Sequence, residues 1–167
     1  GHIPWYAEYG PDKIDLAERI RNIRKPLDGQ RYLWYELPFP KELSQTEWIT
    51  RHAEDFIRET PADRPLLAQL SYVQPHDPFH TPAEYLGRVD ESKIPEIAPA
   101  EWFDNPDAPA YFRQFDEPKY IEGSRPYYFA DIAHLDDQLG RVFDVLEETG
   151  RLDNTFIVFT SDHGEML

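Results

Sequence analysis

The sequence contains no cysteine among its 167 residues. Disulfides, zinc–thiolate sites and cysteine nucleophiles are therefore excluded within these residues. It also lacks any run of about 18 apolar residues, so we expect no segment that spans a bilayer. Internal repeats and low-complexity tracts are absent as well. Hydrophobic residues at 40% and aromatic residues at 14% are nevertheless enough for a packed core.

Positive charge is scarce, with 17 Lys and Arg against 32 Asp and Glu, which gives a net charge of −15 with histidine neutral. Nucleic acids and anionic membrane surfaces are bound largely through Lys and Arg. This balance therefore argues against both as partners. The side chains left for binding a metal are six histidines and many carboxylates, which suit hard or borderline divalent cations.

Three segments have the spacing of apolar residues that is typical of helices, at 11–23, 44–60 and 125–150. In the second, Ser44 and Glu47 have capping-box spacing. In the third, Gly150 is a natural stop. We expect two apolar faces, formed by Trp48, Ile49, His52, Ala53, Phe56 and Ile57 in one helix and by Tyr128, Ile132, Leu135, Leu139, Val142 and Leu146 in the other.

Two apolar runs, at 64–73 and 154–160, have the length of strands. The second is rich in β-branched and aromatic residues, which is typical of a strand covered on both faces in a parallel sheet. Between them lies a long proline-rich loop region at 87–123. Helices alternating with strands in this order predict an α/β fold with a crossover connection.

Two strands do not make an independently stable sheet of this kind. The second predicted strand also leads directly into the last residues of the sequence. We therefore expect residues 1–167 to be an interior part of a single domain whose remainder lies elsewhere.

Polar clusters follow both predicted strands, and ligands of open α/β sheets bind beyond the carboxyl ends of strands. If the two strands are parallel neighbours, the clusters share one edge of the sheet. For Asp162 and His163, a divalent metal site and a plain polar turn are both compatible with the sequence, whereas Glu165 fits the first turn of a helix.

His76 lies between two prolines that stiffen its backbone, which suits a general acid or an anion-binding imidazole. A surface histidine in a proline-rich loop is the simpler interpretation, and His80 could share the role. The other histidines carry weaker signals, because His52 lies on an apolar helix face and His134 could face solvent. The neighbours Asp136 and Asp137 project about 100° apart on a helix and should not converge on a metal.

Two motifs, in this order, resemble the sulfatase family of the alkaline-phosphatase-like superfamily. The first is LLAQLSYVQPHDPFHTPAEY at 66–85, and the second is LDDQLGRVFDVLEETGRLDNTFIVFTSDHGE at 135–165. The resemblance implies an α/β/α sandwich with a mostly parallel sheet. It also implies hydrolysis of sulfate esters, with phosphonate monoester or phosphodiester hydrolysis, or a non-catalytic sulfatase-like binding domain, as the alternatives.

The same resemblance implies roles for individual residues. Asp162 and His163 would bind one divalent metal ion, Ca²⁺ in first place with Mn²⁺ or Mg²⁺ as alternatives. His76 would contact the ester group and assist the leaving oxygen. The family nucleophile is a formylglycine made within a C/S-x-P-x-R motif, which this sequence lacks.

The chain would thus carry the second half of the metal site and a catalytic histidine without the nucleophile, and it should be inactive alone. The partners implied are a small anionic sulfate ester and the remainder of the catalytic domain, and an oligomer is compatible with the sequence. The compartment and the specific ester are not indicated by the residues.

Overall fold

The computed structural model describes residues 34–96, 106–107 and 118–165. The predicted helix at 11–23 and much of the 87–123 loop region lie outside these ranges. The regular elements are strand β1 (Trp34–Glu36), helix α1 (Gln45–Glu59), strand β2 (Phe79–Thr81), helix α2 (Ala83–Leu86) and helix α3 (Pro118–Glu148). Single 3₁₀ turns occur at Lys41–Leu43, Glu91–Lys93 and Leu152–Asn154.

Helix α1 begins where the sequence predicts, because Ser44 is its N-cap. The Ser44 hydroxyl accepts a hydrogen bond from the Glu47 N–H at 3.2 Å. The Ser44 N–H, however, donates to the Lys41 carbonyl, while the Glu47 carboxylate accepts from Gln138 and Arg141 of α3. Only half of the capping box therefore forms.

The buried face of α1 is more polar than the sequence predicts. Phe56 is 46% exposed, and His52 is exposed with its ring edge-on to Trp48, so the core positions expected for these two residues are wrong. Polar side chains can be buried here because each finds a hydrogen-bond partner elsewhere in the chain: Glu47 bonds Gln138, Thr46 bonds Gln74 and Thr50 bonds Tyr72. The buried residues of the helix are Thr46, Glu47, Thr50, Ala53 and Ile57.

Helix α3 confirms the predicted helix and begins at Pro118, inside the expected loop region. Its end is a Schellman motif, in which the Gly150 N–H donates to the Glu147 carbonyl and the Arg151 N–H to the Leu146 carbonyl. Gly150 has a φ of +67°, which favours glycine. His134 is only 2% exposed, so its expected solvent-facing position is wrong.

Helices α1 and α3 pack through an apolar half and a polar half. The apolar half contains Ala53, Ile57, Val142, Val145 and Leu146, with Leu66, Leu70 and Leu152 against it. In the polar half, the Arg141 guanidinium donates to both oxygens of Glu54 at 2.9 Å and also to Glu47. Burial alone would raise the pKa of Glu47, but the hydrogen bond from Arg141 and the His134 ring, whose Nε2 lies 3.5 Å from Oε1 of Glu47, outweigh burial and lower it.

The two strands form a parallel pair with Trp34 opposite Phe79, Tyr35 opposite His80 and Glu36 opposite Thr81. Helix α3 packs against both strands. Parallel strands covered by helices confirm the predicted α/β class.

Neither segment predicted as a strand is one in the described part of the chain. Residues 64–73 are irregular, with Leu66, Leu70 and Tyr72 half-buried and Leu67 94% exposed. Residues 155–160 are also irregular, and Phe156 is 93% exposed, so the burial expected on both faces is wrong. A strand needs a neighbour for its ladder of hydrogen bonds, and within the described ranges neither segment has one. No helix in those ranges combines the length and apolarity that crossing a bilayer requires.

Two glycines of α3 give a matched test of its packing. A Cβ on Gly123 would lie 2.6 Å from Cζ2 of Trp34, whereas a Cβ on Gly140 would meet no atom within 4 Å. We expect Gly123→Ala to lower the free energy of unfolding by about 1–3 kcal/mol because the indole of β1 must move. Gly140→Ala should raise it by about 0.5–1 kcal/mol through helix propensity. Urea denaturation measures both, and equal effects would contradict the packing of α3 on β1.

Candidate functional site

His76 lies in the loop before β2 with its side chain 62% exposed. Its Nδ1 is 2.5 Å from the carbonyl oxygen of Asp77. A carbonyl only accepts, so Nδ1 carries the hydrogen and donates, and the lone pair of the neutral ring is on Nε2. The Asp77 carboxylate lies 3.4 Å from the same Nδ1. The loop therefore fixes the ring through Nδ1 and leaves Nε2 as its reactive nitrogen.

His80 is bound at both ring nitrogens. Its Nδ1 lies 2.6 Å from the Pro78 carbonyl oxygen, and its Nε2 lies 2.9 Å from Nε2 of Gln74. The ring also stacks on Tyr35, with 5.8 Å between centroids. These contacts favour a structural role for His80 over the shared catalytic role that the sequence left open.

Asp162 and His163 form a compact pair in the loop after residues 155–160. The Asp162 Oδ1 accepts a hydrogen bond from the His163 N–H at 3.0 Å, and this bond lowers the pKa of Asp162. The His163 Nδ1 lies 3.1 Å from the Gly164 carbonyl oxygen, so Nδ1 donates and Nε2 keeps its lone pair. Nε2 of His163 and Oδ2 of Asp162 are 3.8 Å apart.

This pair fits a divalent cation as two of its ligands. Nitrogen and oxygen ligands lie about 2.0–2.6 Å from Zn²⁺ or Ca²⁺, so two atoms 3.8 Å apart can share one ion. Calcium takes about 6–8 oxygen ligands, so the pair supplies only part of a shell. Among the described residues, no group of three or more His, Asp or Glu side chains converges on a metal position.

Tyr128 of α3 contacts the first residue of β2 and lies near the loop that contains Gly164. Its ring packs edge-on against the buried Phe79, three residues after His76, with 5.7 Å between centroids. Its hydroxyl oxygen lies 3.9 Å from the position that a Cβ on Gly164 would take. Tyr128 thus lies near both β2, which follows the His76 loop, and the loop of Gly164. No hydrogen bond or ion pair joins His76 itself to Asp162 or His163.

Helix α3 carries a buried carboxyl group that the sequence reasoning missed. Asp131 is fully buried, and burial raises its pKa to about 7, with the His80 backbone and the Thr81 hydroxyl offsetting only part of the shift. Neither carboxylate oxygen has a hydrogen bond of good geometry among the described residues. Its helical spacing from Tyr128 and His134 is the signal that could have placed it on the buried face.

Asp136 and Asp137 lie in different surroundings on α3. Asp136 is exposed, whereas Asp137 accepts hydrogen bonds from the Tyr85 hydroxyl and from the Arg88 guanidinium. The expectation that they do not converge agrees with these contacts. Asp137 instead ties α3 to the chain that follows β2.

The family model and several relatives that match this chain carry the same family name. The family model described as Sulfatase matches residues 7–167. An arylsulfatase of Clostridium perfringens (strain 13 / Type A) is 26% identical over 99% of this chain and 34% of its own length. The multifunctional alkaline phosphatase superfamily protein PehA of Trinickia caryophylli is 33% identical over the whole chain and 36% of its length.

A third relative, the uncharacterized sulfatase YidJ of Escherichia coli (strain K12), is 36% identical over 71% of the chain and 25% of its own length. The chain spans about a third of the length of the first two of these curated relatives.

Proposed function

The chain belongs to the sulfatase family, as its two motifs predicted, and we propose that residues 1–167 form an interior part of one catalytic domain in a metal-dependent hydrolase of sulfate esters. Two features support the part-domain proposal. The irregular segments 64–73 and 155–160 leave apolar side chains exposed, as strands of a larger sheet would without their neighbours. The relatives are also about three times longer than the aligned region.

The observation that carries the functional proposal is the pairing of Oδ2 of Asp162 with Nε2 of His163. The bond from the His163 N–H keeps Asp162 ionised, and the bond from Nδ1 to the Gly164 carbonyl keeps the lone pair on Nε2. Both atoms are therefore prepared to bind a cation. When bound, Ca²⁺, or Mn²⁺ or Mg²⁺ in its place, would supply Lewis-acid stabilisation of negative charge on the ester group.

His76 is the proposed catalytic residue of this chain. Its Nδ1–H donates to the Asp77 carbonyl and holds the ring orientation. The ring acts as a general acid in its imidazolium form, in which Nε2 carries the second proton and releases it to the leaving oxygen as the sulfur–oxygen bond breaks. The family resemblance assigns the nucleophile, a formylglycine, and the other metal ligands to residues outside this chain. We therefore expect the isolated chain to be inactive.

Metal removal tests the proposal on the intact protein that contains this chain. We expect hydrolysis of an aryl sulfate to fall at least tenfold after treatment with a chelator, because charge on the ester oxygens is no longer offset. Ca²⁺ should restore the rate, and Mn²⁺ and Mg²⁺ serve as comparison ions. A rate unchanged by chelation, with metal removal verified by elemental analysis, would contradict metal-dependent hydrolysis.

Phosphonate monoester or phosphodiester hydrolysis, the alternative that the family resemblance implies, is the second candidate. The similarity to a protein named as a multifunctional member of the alkaline phosphatase superfamily favours keeping it. The values of kcat/KM for an aryl sulfate, a phosphate diester and a phosphonate monoester discriminate between the two. We expect the sulfate ester to be preferred. Preference for either phosphorus ester would favour the second candidate, and cation binding without hydrolysis of any ester would indicate a non-catalytic binding domain.

A further inference from the structure

A chain of side-chain hydrogen bonds closes the loop that carries His76. Gln74 and His80 lie on either side of His76 in the sequence, and their side chains meet with 2.9 Å between Nε2 atoms. The Oε1 of Gln74 lies 2.7 Å from the hydroxyl oxygen of Thr46 on α1. Gln74 and Thr46 are both buried. We call the contact between Gln74 and His80 the loop clasp.

The direction of the hydrogen bond in the clasp, and of the bond from Thr46 to Gln74, follows from the Pro78 carbonyl group. The Pro78 carbonyl only accepts, so the His80 Nδ1, at 2.6 Å, must carry a hydrogen. In the neutral ring Nε2 then accepts, and the amide NH₂ of Gln74 donates to it. The Oε1 of Gln74 is left to accept from the Thr46 hydroxyl. Each donor thus meets an acceptor. Reversing the Gln74 amide would place its Oε1 against the lone pair of the His80 Nε2, so that two acceptors would face each other.

We propose that Gln74 is a positioning residue for His76: its side chain joins the two ends of the loop and anchors them to α1 through Thr46. The inference rests on the proposed role of His76. Within the part of the chain that the structure describes, the hydrogen bond and the ion pair at the His76 ring both involve its neighbour Asp77. The position of the ring therefore depends on the loop backbone. The clasp restrains that backbone from residue 74 to residue 80. A displacement of about 1 Å at a catalytic group can cost about 100-fold in rate.

The decisive variant is Gln74→Met in the intact protein, because methionine keeps the length of glutamine and removes its donor and acceptor. We expect kcat for an aryl sulfate to fall by about 10- to 100-fold, with KM changed by less than about threefold, because positioning acts in the transition state. The matched control is Gln138→Met, which removes another buried glutamine, one that bonds Glu47 and Arg141 instead. It should lower the melting temperature and leave kcat within about threefold of the wild type.

A spectroscopic measurement keeps the proposal testable even if Gln74→Met does not fold. In the wild-type protein with ¹⁵N-labelled histidine, neutral His80 should show the hydrogen on Nδ1. A hydrogen on Nε2 would overturn the clasp. An unchanged kcat in folded Gln74→Met, or an equal loss in Gln138→Met, would overturn the positioning role.

These outcomes are distinguishable from failure of the proposed function. If His76→Ala keeps wild-type turnover, the role of His76 fails and the positioning role fails with it, while the His80 tautomer still reports on the clasp. If His76→Ala is inactive and Gln74→Met is not impaired, the hydrolase proposal stands and the inference about Gln74 falls.

Discussion

Replacing His76 by alanine should reduce the kcat of the intact protein on an aryl sulfate by about 10²- to 10⁴-fold. The loss follows from the proposed proton transfer, because the variant has no group to protonate the leaving oxygen. Esters with poor leaving groups need that proton most, so the loss should be larger for an alkyl sulfate than for a nitrophenyl sulfate. Steady-state kinetics at saturating Ca²⁺ measures both.

His52→Ala is the matched control for this experiment. His52 is also exposed, but it lies on α1 with its ring against Trp48. We expect its substitution to leave turnover within about threefold of the wild type, since an exposed side chain outside the site changes little. Turnover retained in His76→Ala, or lost equally in both variants, would be inconsistent with the catalytic assignment.

The second large effect is expected at Asp131, whose substitution by asparagine should stabilise the protein at neutral and alkaline pH. The pKa of the buried carboxyl is raised to about 7 in the folded state, against about 3.9 in an unfolded chain. The folded state therefore holds a proton that the unfolded state releases between those values. The free energy of unfolding should fall as pH rises from about 4 to about 7, by about 4 kcal/mol from this group.

The amide of asparagine cannot ionise, so that part of the pH dependence should be absent from Asp131→Asn. The stability difference between variant and wild type should be close to zero at pH 4 and should approach about 4 kcal/mol in favour of the variant near pH 8. Urea denaturation across this pH range measures the difference. Asp136→Asn, which changes an exposed carboxylate on the same helix, should show no comparable trend. A difference that does not vary with pH would contradict the raised pKa.

The start of α1 and the end of α3 could be predicted because their signals are local. The Ser44 hydroxyl meets an N–H three residues away, and the positive φ of Gly150 allows the last turn of α3 to close. The buried faces could not be predicted in the same way. Glu47 is buried because Arg141 and Gln138, more than 90 residues later, supply its hydrogen bonds.

The two strand predictions were wrong for a related reason. Apolar runs at 64–73 and 154–160 have the composition of strands, but a strand exists only where a neighbour completes its hydrogen bonds. In the described residues the parallel pair forms instead between two three-residue segments, Trp34–Glu36 and Phe79–Thr81. Neither is long enough to show an alternating pattern in the sequence.

At the candidate site, sequence adjacency was sufficient to bring Asp162 and His163 together. Adjacency could not show which atoms are left to bind a cation, because that depends on hydrogen bonds to backbone groups. The His163 N–H donates to Oδ1 of Asp162, and Nδ1 of His163 donates to the Gly164 carbonyl. The role of Gln74 was also hidden, since its partner Thr46 lies on another element.

A crystal structure of the intact protein with Ca²⁺ and a sulfate ester that reacts too slowly to be consumed would test the central claim most directly. We predict that the cation is bound by Oδ2 of Asp162 and Nε2 of His163, and that Nε2 of His76 lies within about 2.6–3.2 Å of the ester's leaving oxygen. A cation bound elsewhere, or an ester out of reach of His76, would contradict the proposed site.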